Sequence, residues 1–556
     1  AFADATSANI GKRIAIIYDN QIYSNPVVRE AITGGQCQID GMTDYTEAEN
    51  LAATIRIGSL SLELQELRSN VVGAQLGQQA ISTSLKAGAI GFAIVAVFMM
   101  VLYLIPGVAA VIALALYVGL VLIMLTAFDI TLTLPGVAGI ILSVGMAVDA
   151  NVIIFTRIKE EIGLGHSVKS AIKAGFSKAL SAILDGNITT LIAAAVLYFR
   201  GSGTVKGFAS TLAIGIVLSM FTALFITKGA LYALYAVGFE DPKFYGTKKD
   251  GKIINFLGKK NICFILSIAV IVAGWAGMAL HKGQTGYVLN YGMDFTGGTS
   301  TNVTFNEDMS LDDISAKVVP VVSKITGDAD VQTQKVAGTN EVIIKTKTLD
   351  VEQRQQLEDA MVENFGVDAE KITAESISGA VSTEMKKDAV WAVTIATVLM
   401  LLYIWFRFKD IRFAASAILA LVHDVLVVVT FYSLAKWSVG STFIACMLTI
   451  VGYSINATIV IFDRIRENLA LKKAGSKQTL EEIVNLSITQ TFTRSINTSL
   501  TTFIMVFVLF LLGVSSIREF ALPLMVGIVC GTYSSVCVTG ALWYVLTTRK
   551  QKKAEK

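Results

Sequence analysis

Residues 134–155 are apolar except for Ser143, Asn151 and one acid, Asp149, so the run has the length and composition of a membrane-spanning helix with a carboxylate inside it. An acid near the centre of such a helix costs roughly 2.5–3.5 kcal/mol on insertion scales, and intramembrane acids usually face protein or water and carry ions or protons. A second reading stands beside this one. Asp149 lies two turns before Arg157 and can serve as a structural acid, hydrogen-bonded in a helix interface.

The stretch recurs. Shifted by 307 residues, Val144-Gly145 meets Val451-Gly452, and Phe155, Arg157, Ile158 and Glu160 meet Phe462, Arg464, Ile465 and Glu467. At a shift of 312, Thr189-Thr190 meets Thr501-Thr502, and Gly201, Phe208, Gly215 and Ile216 meet Gly513, Phe520, Gly527 and Ile528. Both copies run in the same order, which predicts a parallel repeat of two pseudo-symmetric helical bundle halves and a transport pathway at their seam. Gly145 and Gly452 predict close backbone approach between the Asp149 helix and the helix running from Gly452 to Phe462.

Fifty-three per cent hydrophobic residues, 16% charged ones and a mean hydropathy of +0.62 describe a polytopic α-helical membrane protein. A net charge of +3 argues for no nucleic-acid partner. Of five cysteines, Cys263, Cys446, Cys530 and Cys537 fall in apolar spans and Cys37 stands alone, which indicates neither a disulfide framework nor a metal site, and no cofactor is expected.

In chain order, residues 1–83 read as a small α+β module. RIAIIYDNQIY is expected as strand, turn and strand, GGQCQIDG as a short strand, Thr46 to Ile57 as a helix with a Thr46-to-Glu49 capping box, and Ser61 to Val72 as a returning strand. Residues 84–240 carry five spans, 241–260 form a basic linker, and 261–282 hold a sixth span. Residues 283–385 form a second polar domain, 386–548 hold five more spans, and 549–556 are a basic tail. Lysines and arginines cluster at Arg157 to Lys178, Lys243 to Lys260, Arg407 to Arg412, Arg464 to Lys477 and in the tail, so these segments, Lys248 and Lys472 among them, are expected in the cytoplasm and both polar domains outside. With 11 spans in the sequence, that topology calls for a twelfth helix before residue 1.

In the second polar domain, LNYGMDFTGGTSTNVTF predicts a strand, Ser310 to Ile325 a helix with Ser310 as cap, VQTQKVAGTNEVIIKTKT a hairpin, Asp350 to Phe365 a helix and EKITAESISG a last strand. The order βαββαβ is that of a ferredoxin-like unit. Gly292, Gly297 and Gly298 around Asp294 are expected as turn or close-packing residues, since no P-loop spacing follows them.

VGMAVDANVIIFTRIKEE with LDGNITTLIAA resembles SecD, and YGMDFTGGT, LVHDV, VGYSIN, IVIFDRIREN and TRSINTSLTT resemble SecF, protein-export membrane proteins of the resistance-nodulation-division superfamily. The motifs occur in order over nearly the whole chain, as in the fused form. The resemblance implies a multi-pass accessory of the Sec translocon in the bacterial inner membrane that uses the proton-motive force, or a sodium gradient, to pull emerging unfolded polypeptide outward. The implied partners are the translocon channel, a membrane insertase and membrane lipids. It also implies that residues 1–83 are the later part of the first outer domain's base, without the mobile head. The family usually carries an aspartate after GYSIN, and here Ala457 stands there.

Of the relay group that the resemblance implies, Asp149 and Arg494 remain, with Asn456 as a polar neighbour. An arginine near Asp149 favours the charged carboxylate, and separating the two in an apolar site disfavours it, so changing the pairing can drive ion uptake and release. Arg494 can equally snorkel to the interface. His423 and Asp424 can shuttle protons, or their helix can simply pack at the seam, because adjacent side chains point in different directions. Asp185, at the start of its span, reads as structural. A small-molecule or lipid exporter of the same superfamily and a passive scaffold for translocon and insertase are the other functions compatible with these residues. An enzyme is not expected, for want of a nucleophile-base or metal-ligand set in the outer domains.

Overall fold

Hydrocarbon offers the backbone no hydrogen-bonding partner, so the long apolar runs of this chain close their bonds within helices. The computed structural model of the protein describes residues 2–18, 21–58, 66–71, 74–201, 203–246, 252–328, 331–336, 339–472 and 478–554. Lys248, Lys249, Lys473, Lys477 and positions 61–65 of the expected strand lie outside them. Contacts divide the chain into two units, residues 1–66 and 67–556.

The first unit holds α1 (Phe2–Ala8), the hairpin β1 (Ile16–Tyr18) and β2 (Gln21–Ser24), and α2 (Tyr45–Gly58). The hairpin falls where strand, turn and strand are expected, but residues 34–41 form no strand. The cap of α2 is Asp44 rather than Thr46. Asp44 Oδ1 accepts the Glu47 N–H at 2.8 Å, and the Glu47 carboxylate accepts the Thr43 N–H at 2.7 Å. A charged acceptor two residues upstream starts the helix earlier than the hydroxyl would.

The second unit begins with β3 (Arg68–Val71), followed by α3 (Ala74–Tyr103), α4 (Ile105–Ala127), α5 (Leu134–Gly163), α6 (Val168–Arg200), α7 (Thr204–Phe221), a π-helical turn (Thr222–Ile226) and α8 (Thr227–Ala236). Next come α9 (Lys260–Thr285), α10 (Met293–Thr296), β4 (Gly298–Thr304), α11 (Leu311–Asp313), a second π turn, α12 (Val319–Thr326), β5 (Gln332–Lys335), β6 (Glu341–Thr346), α13 (Val351–Phe365) and β7 (Ile372–Ile377). The chain closes with α14 (Gly379–Phe408), α15 (Ile411–Leu434), α16 (Ser441–Leu471), α17 (Leu480–Leu512), α18 (Ser515–Tyr533), a third π turn (Ser534–Thr539) and α19 (Gly540–Ala554). Among the described residues, 11 segments are long and apolar enough to cross a membrane, matching the spans expected from hydropathy.

The ferredoxin-like unit gains a strand. Its antiparallel sheet has the order β3-β7-β4-β6-β5, with the β3 residue Arg68 opposite Ile377 and Val71 opposite Ala374. Without β3 the outer edge of β7 at residues 374–377 would present unpaired backbone groups, which β3 satisfies. The expected boundary at residue 83 therefore moves: β3 belongs to the second unit's sheet. One face of the sheet is closed by a core that includes Val303, Ile314, Val322, Ile344, Leu357 and Met361.

On β7, Glu375 accepts a hydrogen bond from Arg68 at 2.8 Å. Burial, with Asp294 adding to it, holds its carboxyl above the usual carboxylate range despite that arginine. A raised folded value contributes stability that is fully present below the ordinary carboxylate pKa and is lost as pH rises through the folded one. Thermal unfolding of the sheet domain in the full chain is therefore expected at higher temperature as pH falls through the mildly acidic range. Glu375→Gln should flatten that dependence, and an unchanged slope in this variant would assign the effect to another acid.

In the bundle the central helices are α5 and α16, with 89% and 83% of their most apolar stretches buried. The repeat extends to irregular backbone. The non-glycine turn residues Asp129 and Lys436, 307 apart, have φ of 51° and 52°. The π turns at Thr222 and Ser534 are 312 apart and lie in the last span of each half. Hydroxyls at or just after these turns meet the central helices: Thr227, the first residue of α8, donates to Asn151 on α5 at 2.8 Å, and Ser535, within the third π turn, lies 3.4 Å from Thr458, the equivalent residue on α16. π turns of this kind often mark functional positions in helices.

Candidate functional site

Asp149 sits midway along α5 and is 8% exposed. Asn456 of α16 donates its Nδ2 hydrogen to Asp149 Oδ2 at 2.7 Å, so the two pseudo-equivalent positions of the halves meet through one hydrogen bond. Ala457, Arg494 and Thr498 line the same small cavity as Asp149 and Asn456. Arg494, on α17 and 9% exposed, is within electrostatic reach of the carboxylate. Its guanidinium is enclosed by protein on the side of this cavity. Ala457 presents only a methyl group to this cavity.

The glycine expectation needs correction. Gly145 approaches α17, where a Cβ on it would lie 3.0 Å from Thr502 Cα, and Gly452 approaches α6, 3.2 Å from Thr190 Cα. Thr190 and Thr502 are themselves repeat partners, so each central helix packs on the other half's polar span. The central helices meet each other through side chains instead. Two close crossings around one pseudo-axis leave room at that axis for Asp149, Asn456 and Arg494, which two abutting glycines would not.

His423 and Asp424 are not part of that cavity. Contrary to expectation the adjacent side chains do meet, with His423 Nδ1 2.9 Å from Asp424 Oδ1. Asp424, fully buried on α15, also accepts from Ser454 Oγ at 2.5 Å, Ser534 Oγ at 2.8 Å and Cys530 Sγ at 3.3 Å. Donor atoms of His423, Asp424 and Cys530 lie within 4.8 Å of one another. The two hydroxyls, thiol and imidazole already satisfy the carboxylate by hydrogen bonds, the requirement for any charge this deep. The first half has Tyr117 at the equivalent position, donating to Ser143 at 2.6 Å, so this acidic cluster belongs to the second half alone.

Sequence reasoning takes Asp185 as structural but misses the partners in two networks. Asp185 accepts from Tyr403 Oη at 2.7 Å and Arg407 Nε at 2.5 Å, and Arg407 reaches Asp463 at 3.5 Å, tying α6, α14 and α16 together. At the far ends of α5 and α16, Arg157 donates to Glu467 at 2.9 Å and to Glu160 at 3.0 Å, while Arg464 pairs with Glu160 and donates to Glu467 at 3.0 Å. The repeat-matched Arg-x-x-Glu spacing held the signal for this ring. Gly186 was also missed. A Cβ there would lie 2.0 Å from Asn456 Oδ1, so only glycine leaves Asn456 free to bond Asp149. Gly186→Ala is expected to destabilise the bundle by about 1–3 kcal/mol through overpacking. It should also weaken ion-dependent activity by displacing Asn456. Thermal unfolding beside transport assays checks both, and an inert substitution would show that Asn456 does not need this seat.

Two repeated helical bundles with a buried acid, amide and arginine at the seam, and an α+β domain inserted after the first span of the second half, define a two-fold repeat membrane transport protein. The chain belongs to the SecD/SecF family of protein-export membrane proteins. The family profile described as protein export membrane protein SecD/SecF, C-terminal, matches residues 56–237 and 357–549, and the SecDF P1 head subdomain profile matches residues 1–62. The chain is 36% identical to protein translocase subunit SecDF of Bacillus subtilis over 95% of its own length and 73% of the relative's. It is 38% identical to that of Thermus thermophilus over 100% and 73%. A crystal structure of SecDF from Thermus, a translocon-associated membrane protein, superposes with a TM-score of 0.79 at 36% identity, covering 98% of this chain and 73% of that one. The super-membrane-facing form of SecDF gives 0.69 at 36% identity, covering 100% and 74%. The head-subdomain match corrects the reading of residues 1–83 as base without head, since their first 62 residues match the head.

Proposed function

We propose that this chain is an accessory subunit of a Sec protein translocase, working with the translocon channel, an insertase and emerging unfolded polypeptide, and that Asp149 is its ion-carrying group. The carrying observation is the meeting of Asp149 with Asn456 of the other half, in a cavity shared with Arg494. Taking up a proton or cation neutralises the carboxylate and weakens its attraction to Arg494; releasing it restores both. An ion crossing the full field contributes about 2.3 kcal/mol per 100 mV, the energy available for moving the outer domains. In this reading the head-like residues 1–62 and the sheet domain lie outside, and the Arg157–Glu467 ring lies at the cytoplasmic end. Ala457 removes one of the two relay carboxylates usual in the family, which impairs coupling. His423 and Asp424 form a second titratable pair that can take over part of that role. Removing the protein is expected to delay secretion without changing drug sensitivity. Altered drug sensitivity with normal secretion would favour a small-molecule exporter, and delayed secretion indifferent to the ion gradient would favour a scaffold.

A further inference from the structure

The GMDFTGG segment takes no part in the cavity at Asp149, yet it makes an unusual set of contacts. Helix α16, which carries Asn456 and Ala457, begins after Gly440, a residue with no side chain to cap the first turn. Asp294 supplies the cap from elsewhere in the chain: its Oδ2 accepts the Ser441 N–H at 2.6 Å. A Cβ on Gly440 would come within 2.8 Å of that oxygen, so the glycine admits the foreign carboxylate. A negative charge here also complements the helix dipole. The neighbouring backbone reinforces the joint, with Val439 N–H donating to Asn290 at 2.8 Å and Gly292 N–H to Val439 at 2.9 Å.

From Asp294 the chain passes through Gly297 and Gly298, with φ of 75° and 120°, straight into β4, a central strand of the sheet. On its other side Asp294 Oδ1 faces Arg68 Nη2 at 4.0 Å. Arg68 is held by Glu375 at 2.8 Å, and its Nη1 lies 3.2 Å from where Gly203 would carry a Cβ, at the start of α7. The sheet and the start of α16 thus meet at Asp294, and Arg68 beside it lies against the turn before α7 of the first half.

We infer that Asp294 is a positioning residue for the ion relay, fastening α16 to the sheet domain and, through Arg68, to the first half, so that a tilt of the sheet domain shifts Asn456 and Ala457. Fifteen residues separate Ser441 from Asn456, about 22 Å along a rigid helix at 1.5 Å per residue, and a tilt at the cap displaces the far groups as a lever does. The inference rests on Asp149 acting as the relay, but its first readout does not.

Hydrogen exchange of residues 441–446 in the full chain in lipid nanodiscs tests the joint. Asp294→Ala should speed exchange about tenfold, matching the loss of a cap worth about 1.4 kcal/mol. Arg68→Gln, which alters no residue of α16, should speed it several-fold, Arg68→Lys should stay near the parent, and Arg68→Gln should add nothing once Asp294 is Ala. Asp149→Asn should leave this pattern unchanged, so the relay and the joint fail independently. In chains carrying Ala457→Asp, Asp294→Ala should lower the gradient-dependent part of export at least fivefold while sparing the gradient-independent part. Unchanged exchange in Arg68→Gln, an equal Arg68→Gln effect with Asp294 removed, or equal loss of both parts of export would each make Asp294 a local helix cap and overturn the inference.

Discussion

Ala457→Asp is expected to raise the gradient-dependent part of protein export several-fold, and Asp149→Asn to abolish whatever such part this chain has. Ala457 lines the same cavity as Asp149, Arg494 and Thr498, so a carboxylate placed there would meet the same groups. Two carboxylates near one arginine cannot both be held charged at low cost in a water-poor site, so one binds and releases an ion as the other changes its pairing. With alanine there, Asp149 keeps Asn456 and the attraction of Arg494 and has no competitor for either. The measurement is secretion with and without an imposed gradient in the parent, Ala457→Asp, Asp149→Asn and Asp424→Asn. Strong gradient dependence in the parent, unchanged by Ala457→Asp yet lost in Asp149→Asn, would show that Ala457 leaves the relay intact. Loss in Asp424→Asn with Asp149→Asn unaffected would move the relay to the His423 cluster.

Breaking the ring at the ends of α5 and α16 is the second change with a large expected effect. Arg464 is 10% exposed and Glu160 15%, values between those of surface and core ion pairs. Removing a partner from a fully buried pair costs about 3–5 kcal/mol and from an exposed pair about 0–1, so Arg464→Ala should cost about 2 kcal/mol. Arg157→Ala should cost a similar or smaller amount, because Arg157 holds the equivalent place but is 21% exposed. The two losses should be markedly non-additive, since both arginines serve the same two glutamates. Reversing all four charges together, with Arg157→Glu, Glu160→Arg, Arg464→Glu and Glu467→Arg, keeps every pair of opposite sign and should recover much of the loss, and thermal unfolding reads all four variants. Simple additivity would mean that the four charges act as two independent pairs within their own helices.

Much of the molecule was legible before any coordinates. Each span announces itself by local composition, because the bilayer requires an apolar run long enough to cross it, and the clustered lysines and arginines set which ends share a side. The βαββαβ order was legible for the same local reason, with Ser310 capping its helix as expected and Asp350, expected as the first residue of the next helix, standing as its cap. Repeat-matched residues such as Asp149 and Asn456 could be paired on paper, and Arg494 was named from resemblance.

What the sequence by itself determined is therefore local and periodic: the spans, their sidedness, the two-fold repeat and a carboxylate that hydrocarbon could not tolerate alone. Tertiary structure decided the partners. It set Gly145 against Thr502 instead of Gly452, closed β7 with a strand from the first half, turned Asp185 into a three-helix junction, and carried Asp294 to the cap of α16. None of these pairings has a sequence signature, since side chains hundreds of residues apart are matched by how helices cross and which surfaces fit. Hydropathy says that a residue is buried, and only packing says against what.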